Sequence, residues 1–82
     1  MERILKLHEA IAVVLLSKEN RTATLEEISN EIANRKLYHK NDGGFANAKQ
    51  IRLRTHPNTH AGKTYAHLFE FTEPNLVRLR NL

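Results

Sequence analysis

From Gly43 to Phe69 the chain carries Lys49, Arg52, Arg54 and Lys63 and not one Asp or Glu. His56, His60 and His67 lie in the same window and add positive charge below about pH 6.5. Asn47, Gln50, Asn58 and Thr59 are interleaved with these cations. Arg and Lys hold phosphate or read guanine, Asn and Gln pair with adenine, and hydroxyl and imidazole groups donate to phosphate oxygens. A stretch without carboxylates suits a surface that faces phosphates, because each acid would repel them. The candidate DNA contacts are therefore Asn47, Lys49, Gln50, Arg52, Arg54, His56, Asn58, Thr59, His60 and Lys63. A solvated polar face on a core helix would have a similar composition. The coincidence of the acid-free window with one helix favours contact with DNA.

Other chemistries find less support. His56 and His60 are four apart and would share a helix face suited to zinc, but Pro57 interrupts any helix between them. Cys is absent, and a third ligand would have to be His67 or a distant carboxylate, so no metal is expected. Ser17 and Ser29 lack a partner base. Glu26 and Glu27 are adjacent, point different ways and serve a helix start. Asp42-Gly43-Gly44 is too short for a phosphate loop and lacks its Lys-Ser/Thr ending. The chain is expected to be no enzyme and to need no cofactor.

The 82 residues allow one domain with a modest core, which no disulfide can reinforce. Net charge is +4 and the pI 9.8. Residues 1–42 hold seven basic and seven acidic side chains, and in 70–82 Arg78 and Arg80 offset Glu70 and Glu73. The excess therefore sits in the middle of the chain. The longest apolar run, Ala10 to Leu16, is far short of the roughly 20 residues a membrane span needs. Glu2 and Glu9 argue against a signal peptide. The expected location is cytoplasmic and nucleoid-associated, or nuclear in a eukaryote.

The elements that would position these residues follow from periodicity. Ile4, Leu7, Ile11, Val14 and Leu15 recur at helical spacing and predict a first helix over about Arg3 to Ser17, with His8 on its apolar side. Lys18 to Ala23 is polar and breaks the pattern. Thr24-Leu25-Glu26-Glu27 is a capping box that opens a second helix with a Leu25, Ile28, Ile32 stripe. Lys36 to Gly44 reads as a turn region, with Leu37 and Tyr38 tucked under the core. A third helix is expected from Phe45 to Thr55, stopped by Pro57. Phe45, Ala48 and Ile51 lie on one face, Leu53 is a further apolar candidate, and Asn47, Gln50 and Arg54 share a stripe. Pro57 to Thr64 reads as a loop. Tyr65 to Phe71 and Leu76 to Arg80 read as two strands around the turn Thr72-Glu73-Pro74-Asn75. The fold class is mainly α with a small antiparallel β-hairpin: three helices and a hairpin, the order of a winged helix-turn-helix.

In that order the chain resembles the HARE-type winged-helix domains. The likeness rests on "LHEAIAVVLL", "ATLEEISNEIANRKLY", "NAKQIRLRT" and "YAHLFEFTEPNLVRL", and covers nearly the whole length. It implies a DNA-binding module within a longer protein, such as a specificity module of a restriction endonuclease or a reader of modified DNA. The partner would be double-stranded DNA, entered by the third helix through its major groove. The sequence departs from the pattern in a long segment before the hairpin and in Glu73 at the hairpin turn. An acid there disfavours contact by the wing. The other function class is a winged helix that docks a protein partner in a transcription or chromatin assembly. It predicts an exposed apolar patch near Leu76 or Phe71.

Overall fold

The computed structural model describes residues 5–38 and 46–80. They form four α-helices and a three-stranded antiparallel sheet in the order α1 (Leu7–Leu16), β1 (Thr22–Thr24), α2 (Leu25–Arg35), α3 (Ala48–Thr55), α4 (His60–Thr64), β2 (Phe69–Thr72) and β3 (Leu76–Leu79). The expected helical residues Arg3 and Ile4, the Asp42-Gly43-Gly44 turn and Phe45 lie outside the described residues.

α1 begins with the Glu9 carboxylate accepting from the Lys6 N–H at 2.9 Å. It buries Leu7, Ala10, Ile11, Val14 and Leu15, a stripe wide enough for the centre of a small core. α2 starts at the capping box read from the sequence. Thr24 Oγ1 accepts from the Glu27 N–H at 3.1 Å, and Glu27 Oε1 accepts from the Thr24 N–H at 2.9 Å. Leu25, Ile28 and Ile32 are buried as the periodicity requires. α2 ends at Lys36, which turns left-handed at φ 53°. The Lys36 and Leu37 N–H groups then bond back to the Ala33 and Ile32 carbonyls.

Two expectations about the β structure change. Lys18 to Ala23 is more than a polar break: a 3-10 turn at Glu19–Arg21 leads into β1, which pairs antiparallel with β3. The sheet order is β1-β3-β2. A three-residue strand with only Ala23 buried has too few side chains to announce itself by alternation. The hairpin pairs Phe69 with Leu79 and Phe71 with Val77. β2 begins at Phe69 rather than Tyr65, because Tyr65 to Leu68 form a turn in which the Tyr65 carbonyl accepts from the Leu68 and Phe69 N–H groups. Val77 and Leu79 face inward and Arg78 outward, as the alternation predicts.

The core joins α1, α2, Ile51 of α3 and the inner sheet face of Ala23, Phe69, Val77 and Leu79. Each fully buried large apolar side chain contributes about 1.5–3 kcal/mol from burial alone. Leu37 and Tyr38 pack against this cluster while remaining half-buried, as expected from the sequence. No helix among the described residues is long and apolar enough to cross a membrane.

Candidate nucleic-acid interface

α3 is the element that carries the acid-free window, and its start differs from expectation. It begins at Ala48, with Asn47 as N-cap. Asn47 Oδ1 accepts from the Gln50 N–H at 3.0 Å, and Gln50 Oε1 accepts from the Asn47 N–H at 3.1 Å. This reciprocal cap was legible as Asn followed three residues later by Gln. Both side chains therefore have a structural task in the free protein. Ala46, just before the cap, is tied to α2 by the Ser29 hydroxyl, which donates to its carbonyl at 2.8 Å.

Ile51 and Thr55 are buried and define the inward face of α3. At about 100° per residue, Lys49 and Leu53 fall on the opposite face, and both are exposed. Leu53 thus points to solvent rather than into the core. Arg52 lies on the flank toward the hairpin, with its guanidinium carbon 5.7 Å from the centre of the Phe71 ring. Arg54 lies on the flank toward α1. There its charge acts on His8, whose ring stacks on Tyr65 at 4.2 Å between centroids. Burial holds His8 below the ordinary imidazole value; the Glu9 carboxylate opposes the shift, and Lys6 and Arg54 reinforce it. The stripe of Asn47, Gln50 and Arg54 faces this flank, so the outward crest is centred elsewhere, on Leu53.

The segment after α3 is more ordered than its polar, Gly-containing sequence suggests. Pro57 to Thr64 is no simple loop: α4 spans His60–Thr64. Thr59 Oγ1 accepts from the Gly62 N–H at 2.8 Å and lies 2.6 Å from the Leu53 carbonyl and 2.9 Å from that of His56. Its hydroxyl is committed to the backbone and is not available to phosphate. Thr59 as an N-cap was a legible signal, masked by Gly62, which reads as a loop marker. Gly62 is present for closeness: a Cβ there would collide with the His56 carbonyl oxygen and Thr59 Oγ1.

His56, another of the candidate contacts, is buried. It is only 5% exposed. Its Nε2 lies 2.8 Å from Glu73 Oε2, its Nδ1 accepts from the Asn58 N–H at 3.1 Å, and its ring packs 4.7 Å from Phe71. Both nitrogens are engaged, so His56 braces α3 against the hairpin. Asn58, His60 and Lys63 remain exposed beside this brace. The surface that faces outward is thus Lys49, Leu53, Asn58, His60 and Lys63, bordered by Arg52 and Arg54.

A separate cleft of about 710 Å³ opens along the β1 side of the sheet, lined by Leu16, Lys18, Asn20, Arg21, Thr22 and Arg78. Its cations come from the α1–β1 connection and from β3, which a window along the sequence cannot gather. Lys18 pairs with Glu31 at 3.4 Å and Arg78 with Glu70 at 3.1 Å, so much of its charge is offset locally. Near the hairpin, Leu76 is 37% exposed, while Phe71 is half-buried against Arg52 and His56. Among the described residues no three His, Asp or Glu side chains gather as a metal site. Comparisons of the chain with protein-family models, with curated proteins and with solved structures brought no match.

Proposed function

We propose that this chain is a winged helix-turn-helix DNA-binding domain of the HARE type. It lays α3 in the major groove of duplex DNA and performs no chemistry of its own. One observation carries the reading: the outward and flanking sides of α3 present Lys49, Arg52 and Arg54 with no carboxylate on the helix. The sheet order, with β1 joined to β3 beside the hairpin, is consistent with a winged-helix layout. Lys63 extends the positive surface past the end of α3, and the exposed His60 ring beside it can donate to phosphate. Affinity comes from phosphate contacts and base preference from the crest of α3. As a module it would supply specificity to a longer protein, such as a restriction endonuclease or a reader of modified DNA.

The test is a titration of a labelled random duplex by fluorescence anisotropy at low and moderate salt. Neutralisation of about four phosphates gives a slope of log affinity against log salt near −3.6. The Arg52→Glu, Arg54→Glu variant should lose binding while remaining folded. Absence of binding at low salt would exclude DNA as the ligand and favour a protein partner near Leu76.

A further inference from the structure

The crest of α3 carries one exposed leucine among cationic side chains. Leu53 is 41% exposed, against 0% for Ile51 and 2% for Thr55 on the inward side. Lys49 stands one turn before it on the same outward face. Gln50, on its other side, is held by the cap with Asn47. Arg52 is held over Phe71, and Arg54 lies on the flank toward His8. A single exposed leucine is ordinary on a protein surface. Leu53 differs in place: it lies on the face of α3 opposite the buried Ile51 and Thr55, among side chains that suit phosphate.

A helix in the major groove sets its flanks toward the two phosphate backbones and its crest toward the base edges. Among the groups that the base pairs display there, the thymine 5-methyl is the apolar one. A leucine at the crest has no hydrogen bond to offer and gains only by burying apolar surface. We propose that Leu53 is a specificity-determining residue that packs on the 5-methyl group of thymine. This rests on the DNA-binding reading of α3 given above.

The probe is a short alternating adenine–thymine duplex, compared with the same duplex carrying uracil in place of thymine. The two differ by the methyl group alone. Burial of one methyl is worth about a fourfold change in affinity. The domain should bind the thymine duplex about fourfold more tightly, or more if several methyls are contacted. Leu53→Ala should bind both duplexes alike, with an unchanged salt slope and an unchanged circular dichroism spectrum. Because the Leu53 side chain is exposed, this variant should keep its fold. Equal binding of the two duplexes by the unmodified domain overturns the inference, as does a thymine preference that survives in Leu53→Ala. If the domain binds a random duplex but shows no methyl preference, only the role of Leu53 falls. If it binds no duplex at low salt, the DNA-binding reading falls and takes this inference with it.

Discussion

His56 Nε2 donates to Glu73 Oε2 across 2.8 Å, joining the residue that ends α3 to the hairpin turn 17 positions later. The donor assignment follows from the other nitrogen, because Nδ1 accepts from the Asn58 N–H and so carries no proton. A buried imidazole with both nitrogens satisfied holds two distant parts of the chain together. His56→Ala should cost about 1–3 kcal/mol through the orphaned Asn58 amide and the lost packing on Phe71. Glu73→Gln keeps an acceptor for Nε2–H and should cost less than about 1 kcal/mol. Urea midpoints of the two variants decide this. Equal losses would mean that the Glu73 charge, rather than the His56 packing, supports the joint.

Gly62→Ala should destabilise the domain by about 1–3 kcal/mol. The added Cβ would meet a backbone carbonyl, which cannot rotate away as a side chain can. Thermal unfolding measures the loss. A variant as stable as the parent would show that α4 does not sit this tightly on the end of α3.

Thr59 and Lys49 should separate structural from electrostatic roles. The Thr59 hydroxyl is spent on backbone groups, so Thr59→Val should lower stability by about 0.5–2 kcal/mol and leave the salt slope of DNA binding unchanged. Lys49→Gln should do the reverse, reducing that slope by about 0.9 with little effect on stability. Anisotropy titrations over a salt series, beside urea melts, read both quantities.

Glu27 gives the fold a sensitivity to acid. The backbone N–H of Thr24 is the main cause holding its carboxyl below the ordinary 4.5. A depressed folded value means that the unfolded chain binds the proton more readily. The contribution is therefore full above about pH 4.5 and is lost as pH falls through the lower folded value. Glu27→Gln keeps an acceptor for the cap without the titration. Its urea midpoint should fall less than the parent's as pH drops below about 4.5.

His8 acts in a higher window, also in the sense that favours the unprotonated form. Burial holds it below 6.5, so its contribution is present above about pH 6.5 and fades as pH falls through its lower folded value. His8→Phe preserves a ring to stack on Tyr65 and removes the titration. The variant should lose less stability than the parent between about pH 7 and pH 5. A parallel decline would place the pH sensitivity of this range on other groups.

Legibility followed the distance over which each signal acts. The Thr24–Glu27 cap, the Leu25, Ile28, Ile32 stripe and the inward Val77 and Leu79 were readable because their patterns lie within a few residues. The Asn47–Gln50 cap carries the same local signal, but an Asn and a Gln at this spacing suit base contacts equally well. β1 was not readable: its pairing with β3 joins Thr22 to Arg78, and its three residues are too few for alternation to register. Leu53 was ambiguous because an apolar residue in a short helix can complete a stripe or interrupt the polar face.

The sequence by itself determined that positive charge without acid gathers between Gly43 and Phe69, that amphipathic helices precede a hairpin, and where the apolar stripes of α1 and α2 lie. Charge and periodicity are properties of neighbours along the chain. Only the tertiary structure decided which of those polar residues face outward. Packing chose Ile51 and Thr55 as the buried side of α3, which turned Lys49 and Leu53 to solvent. It also drew His56 under the hairpin to Glu73 and spent the Thr59 hydroxyl on the start of α4. A buried polar group must find its partners wherever the fold brings them, and those partners are not written beside it in the chain.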